Sequence, residues 1–243
     1  MKTLLAAVLL APALAVAAGA KVPLDRAPVN LHDKASLQRG AQVFVNHCLS
    51  CHGAAMMRYN RLTDLGLSEA QVRDNLLLGA EKVGDPMATT LTAADGKKWF
   101  GVAPPDLSLI ARSRGADWLY TYLRGFYRDA SAKSGWNNTV FPNVGMPHAL
   151  WEYQGDQSLL VTERKDAATG ATKATRKLVL DRPGSLTPLQ YDQFVGDLVN
   201  FLVWVGEPAR AQRTQIGIVV LFFLAVLFVL TVLLKKEYWK DVR

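Results

Sequence analysis

The chain has 243 residues, 50% of them hydrophobic and 20% charged, with a formal net charge of +7. That is enough for one substantial core and little more, because much of the apolar content lies in segments near the two ends. Two cysteines in all, Cys48 and Cys51, exclude a four-thiolate metal site, and no nucleic-acid partner is expected. Met1 to Ala20 reads as a secretory signal: Lys2 supplies the positive start and Leu4 to Val16 an apolar run too short to span comfortably. Ala15-Val16-Ala17 and Ala18-Gly19-Ala20 both offer the small-x-small pattern of a cleavage site. The other reading of this segment is an uncleaved anchor.

Lys21 to His32 is a proline-containing lead-in without periodicity. From Ser36, the residues Leu37, Gly40, Ala41, Phe44 and Val45 recur at three- and four-residue steps and predict one face of a short helix. Gly40 is a poor helix former. It marks either a close crossing by another helix or an ordinary core helix carrying a glycine.

That helix runs into Cys48-Leu49-Ser50-Cys51-His52. C-x-x-C-H is the attachment pattern of a c-type haem. Two thiols three positions apart reach the two vinyl groups of one haem as thioethers, and the following histidine is placed under the iron. A C-x-x-C without that histidine would read as a redox dithiol or half of a zinc site. Export fits, because c-type haem is attached outside the energy-transducing membrane, where free thiols would tend to oxidise.

Further on, Ser68 with Gln71 forms a capping box that opens a helix to Leu78. Residues 79–101 read as loop, with Gly84-Asp85-Pro86 and Asp95-Gly96 as turn signals. Ala103-Pro104-Pro105-Asp106-Leu107-Ser108 opens a helix through Trp118 to Leu123, and Asp129 to Val144 reads as irregular.

A haem iron with a proximal histidine has a sixth position to fill. The candidates are Met56, Met57, Met87, Met146, His32, His47 and His148. Met56 and Met57 follow His52 too closely to reach the opposite face, and His47 is held on the proximal side. Met146 sits between Pro142 and Pro147, whose restricted backbone would hold a thioether in place. His148 is its rival and Met87 ranks third. A His/Met pair closes both axial positions and favours Fe(II), giving an electron-transfer site. An open position would instead permit gas or peroxide chemistry.

Leu159-Leu160-Val161 and Leu178-Val179-Leu180, flanking a polar turn at Asp166 to Gly170, predict a small β-hairpin. Arg164, Lys165, Lys173, Arg176 and Lys177 make it basic, as a solvated face or a docking surface. Thr187-Pro188 starts a helix that ends near Gly206-Glu207-Pro208. Ile216 to Leu234 carries no charge, and at about 1.5 Å per residue it matches a hydrocarbon core roughly 30 Å thick. Lys235, Lys236, Lys240 and Arg243 follow, with Tyr238 and Trp239 as interfacial aromatics, so the tail is expected in the cytoplasm.

Together these pieces resemble the cytochrome c1 family of the quinol–cytochrome c reductase (bc1) complex. The resemblance rests on Cys48 to His52, Ala103 to Ser108, Arg112-Ser113-Arg114, Gly145-Met146-Pro147, and Phe201 to Trp204 leading to Glu207-Pro208 before one C-terminal span. It implies a mainly α, cytochrome c-like haem domain with loop insertions and a small β-hairpin, in which N- and C-terminal helices cross at a small residue against an aromatic one. It implies one haem c held by Cys48 and Cys51, with His52 proximal and Met146 distal. It further implies Arg114 on a haem propionate, with Arg112 the alternative, and Pro105 packed against the haem. The segment from Arg114 to Trp118 is shortened relative to the family, which leaves the second propionate contact unassigned. No acidic run of the mitochondrial kind is present for docking a basic cytochrome c.

The implied organisation is a signal (1–20), a periplasmic haem domain (21–212), a transmembrane anchor (213–236) and a cytoplasmic tail (237–243) in the bacterial inner membrane. The implied partners are cytochrome b, the Rieske iron–sulfur protein, membrane lipid and a soluble or membrane-attached cytochrome c, within a dimeric complex. The function implied is electron relay from the Rieske protein to that cytochrome c. The chain would be an oxidoreductase only as part of the complex, with no catalytic residue of its own. The alternatives are a free-standing anchored cytochrome c or oxidase subunit, and a gas-binding haem protein.

Overall fold

The computed structural model describes residues 22–165 and 172–241. The expected signal and the turn at Asp166 to Gly170 lie outside them. Among the described residues the architecture is mainly α, with three two-stranded antiparallel sheets and one long C-terminal helix.

The first helix, α1 (Lys34–His47), opens at Asp33, whose side chain accepts from the Ser36 amide, and buries Leu37, Gly40, Ala41, Phe44 and Val45. After the Cys48–His52 turn come β1 (Ala54–Arg58), a 3-10 segment (Tyr59–Leu65) and α2 (Glu69–Asn75). The Ser68–Gln71 capping box is present, though the helix stops before Leu78. The short β2 (Pro86–Met87) pairs with β1.

Three expectations are corrected in the middle of the chain. Asp95-Gly96 is no turn but the first half of α3 (Ala93–Phe100), because the Thr92 side chain accepts from the Asp95 amide and nucleates a helix. The single helix expected after Ala103 is two, α4 (Ile110–Ser113) and α5 (Ala116–Arg124). Gly115 divides them at φ 92°, a left-handed backbone that glycine adopts without strain. The stretch from Asp129 expected to be irregular contains β4 (Trp136–Asn138), which pairs with β3 (Phe126–Arg128) just before it.

After α6 (Trp151–Gln154), the hairpin of β5 (Gly155–Lys165) and β6 (Thr172–Pro183) appears, longer than the two apolar triplets that signalled it. Next, α7 (Pro188–Gly206) starts at Thr187 with a full capping box and Pro188 in its first turn.

The core sits where α7 crosses α1. A Cβ on Gly40 would lie 2.6 Å from Phe201 Cβ, and closer still to the Asp197 carbonyl, so the two backbones meet at the glycine. Phe44 packs on Phe201 with ring centroids 5.7 Å apart. This is the expected crossing of a small residue against an aromatic one. Arg39 and Asp197 pair at its rim, 2.6 Å apart.

The last helix, α8 (Arg210–Tyr238), has 29 residues, none of them buried against the rest of the protein. It is long and apolar enough to cross a bilayer.

Candidate haem site

The end of α1 winds directly into the motif. The Cys48 amide donates to the Phe44 carbonyl at 2.9 Å, and the Cys48 carbonyl then accepts from Cys51 N at 3.0 Å and His52 N at 2.7 Å. The two sulfurs and the imidazole are thereby gathered on one tight turn. Both thiols are free of any disulfide. Burial pushes the Cys48 thiol up to about 12, with the neighbouring Cys51 adding to it.

His52 is oriented from outside the motif. Its Nδ1 lies 2.8 Å from the Pro105 carbonyl, which assigns the ring proton to Nδ1 and leaves the Nε2 lone pair available to a metal. Burial holds the imidazole pKa below its ordinary value, outweighing the Pro105 carbonyl and Asp106. A neutral ring is the form that binds iron.

Pro105 is kept at that distance by a ladder between the two segments. Leu107 N donates to the Gly53 carbonyl at 2.7 Å. Asp106 accepts from Ala55 N and Ser108 N, both at 2.8 Å, and the Ser108 hydroxyl accepts from Met56 N at 3.0 Å. The proline expected to pack on the haem thus contributes its carbonyl to the His52 ring. The sequence offered no signal for that non-local contact.

Met146 is half-buried, and its sulfur accepts a hydrogen bond from the Tyr122 hydroxyl at 3.3 Å. The loop carrying it is staked by two buried asparagines of β4. Asn137 Oδ1 accepts from Asn143 N at 2.8 Å, and Asn143 stands in the left-handed region at φ 61°. Asn138 Oδ1 accepts from Val140 N and Phe141 N, while its amide donates to the Tyr122 carbonyl at 2.8 Å. Neither asparagine was singled out from sequence, since both fall in the stretch read as irregular.

Of the rival candidates, His32 is exposed. Met57 and Met87 are buried in the main core, and Met56 is exposed on β1. His47 faces the Tyr153 hydroxyl at 3.2 Å. His148 is 3% exposed and stacked flat on Phe126 at 4.7 Å, with Trp136 edge-on. Burial lowers its pKa to about 4, against the Gln154 side chain, which favours the protonated ring. It packs on Phe126 and Trp136, part of a small cluster that Met146 also borders, and its buried Nε2 has no hydrogen-bond partner among the described residues.

The two arginines of the Arg112-Ser113-Arg114 segment also separate. Arg112 reaches Glu207 at 3.7 Å. Arg114 is exposed, has no carboxylate partner among the described residues, and lies 5.2 Å from the Trp118 ring.

The sequence model described as the Cytochrome C1 family matches residues 25–81 and 184–242, which hold the motif turn, the α1–α7 crossing and α8. A protein of Allochromatium vinosum named cytochrome c1 is 48% identical over 96% of this chain and 96% of its own length. A protein of Nitrosomonas europaea named ammonia monooxygenase gamma subunit is 51% identical over 100% of this chain and 98% of its own. One of Bradyrhizobium diazoefficiens named cytochrome b/c1 is 25% identical over 88% of this chain, which corresponds to 34% of that longer protein.

Proposed function

The chain belongs to the cytochrome c1 family, and we propose that it relays electrons from the Rieske iron–sulfur protein to a cytochrome c within a dimeric bc1 complex. Its cofactor is covalent haem c, which supplies one-electron iron chemistry. The observation that carries the reading is the motif turn itself: two free thiols, followed by a histidine whose Nδ1 is tied to a backbone carbonyl.

In this reading Cys48 and Cys51 hold the group as thioethers, His52 binds through Nε2, and Met146 takes the distal position. Arg114 serves a propionate with its guanidinium fork, which Arg112 cannot do while it is drawn to Glu207. The chain's part in the reaction is to fix two ligands, shield the metal and leave one edge accessible. It abstracts no proton, and oxidoreductase activity belongs to the assembly.

The chain is membrane-anchored through α8. We place the haem domain in the periplasm, after an export signal at residues 1–20, with the anchor at 213–236 and the tail at 237–243 in the cytoplasm. The basic residues after the span support that orientation. Cytochrome b is the partner beside the anchor. Exposed Trp99, Val102, Leu109 and Phe141 support apolar docking of the acceptor in place of an acidic run.

The name of the Nitrosomonas relative carries a second reading, a subunit of an ammonia-oxidising assembly. Mild detergent purification of the tagged chain separates the two. Co-purification of b-type haem and an iron–sulfur protein is expected; co-purification of ammonia-oxidising activity without them would support the second reading. A chain that emerges alone with haem c would be a free-standing carrier.

A further inference from the structure

Tyr122 has one hydroxyl partner among the described residues, the sulfur of Met146 at 3.3 Å. The ring carrying that hydroxyl is clamped. Trp118, one helical turn earlier on α5, stacks on it at 4.8 Å and 10°, and Phe126 meets it edge-on at 5.1 Å. The Tyr122 carbonyl is bonded to Asn138, the same side chain that stakes the Met146 loop. Hydroxyl and sulfur are therefore held by one frame and cannot drift apart independently.

A thioether sulfur has two lone pairs. If one goes to iron, the other remains free to accept, and the Tyr122 hydroxyl stands where it can donate to it. We propose that Tyr122 is a positioning residue that sets the reduction potential of the haem through Met146. The inference rests on Met146 being the distal ligand. A hydrogen bond to the sulfur withdraws electron density from it, making it a weaker donor to ferric iron and so favouring Fe(II).

The test uses the membrane-bound holoprotein and two readouts, the midpoint potential from an optical redox titration and the near-infrared methionine–Fe(III) charge-transfer band. Tyr122→Phe keeps the ring and its stacking. It should lower the potential by roughly threefold in the Fe(II)/Fe(III) equilibrium, about 28 mV at 59 mV per tenfold for one electron, with the band retained. Tyr120→Phe, the same change on a ring whose hydroxyl does not reach Met146, should leave both readouts in place. An unchanged potential in Tyr122→Phe overturns the inference if Met146→Ala abolishes the band, since the ligand then stands without its tuning. A band that survives Met146→Ala overturns the ligand assignment and the inference together.

Discussion

Gly40 and Phe201 meet backbone to side chain at the centre of the fold. A single added methyl at Gly40 would lie 2.6 Å from Phe201 Cβ and overlap the Asp197 carbonyl. Gly40→Ala should therefore destabilise the holoprotein by about 1–3 kcal/mol, the usual range for overpacking, despite alanine's better helix propensity. At about 2–4 °C per kcal/mol for a domain of this size, a thermal melt followed by haem absorbance should show the loss. A melt at or above that of the parent would show that the helices can separate at this point without cost.

Asn138 joins α5 to the Met146 loop through three hydrogen bonds, two accepted and one donated. Replacing it with alanine leaves part-buried backbone groups unpaired and should cost about 1 kcal/mol. The methionine–iron band should also weaken, because the loop loses its stake. Retention of a full-strength band in Asn138→Ala would mean the prolines hold Met146 unaided.

His148 competes with Met146 on sequence grounds yet lies flat against Phe126. His148→Gln should leave the haem spectrum and the methionine–iron band unchanged while lowering thermal stability. Loss of low-spin haem in this variant would reassign the distal ligand.

Asp156 gives the sheet region an acid limit. Burial alone would raise its pKa, but Arg128, at 2.7 Å, and Arg182 hold it below the ordinary value. Because the folded value is depressed, the pair's stabilisation is present above the unfolded pKa of about 3.9 and is lost as pH falls through the lower folded value. In denaturation series between pH 6 and pH 3, the parent's advantage over Asp156→Asn should shrink toward the acid end. A gap that does not change with pH would remove Asp156 from the acid response.

The parts of this protein legible in sequence are those written in local pattern. The haem turn is five consecutive residues, the α1 face recurs at helical spacing, Ser68–Gln71 is a capping box, Thr187-Pro188 marks a helix start, and the span from Ile216 carries no charge. The middle of the chain was less legible because its decisive contacts are side chain to backbone or far apart in sequence. Asp95-Gly96 reads as a turn until Thr92 caps it, and only a positive φ at Gly115 breaks the helix before Trp118. The carbonyl behind His52 belongs to a residue 53 positions away, and the hydroxyl on Met146 to one 24 positions away. Tyr122 looks in sequence like one more aromatic on an amphipathic helix.

The relay itself is tested most directly by adding quinol anaerobically to the purified complex and following the haem c absorbance. Reduction of haem c by quinol, abolished when the iron–sulfur protein is removed and restored when it is returned, is the result predicted. Haem c that stays oxidised under quinol in the intact complex, yet reduces at once with a small chemical reductant, would contradict it.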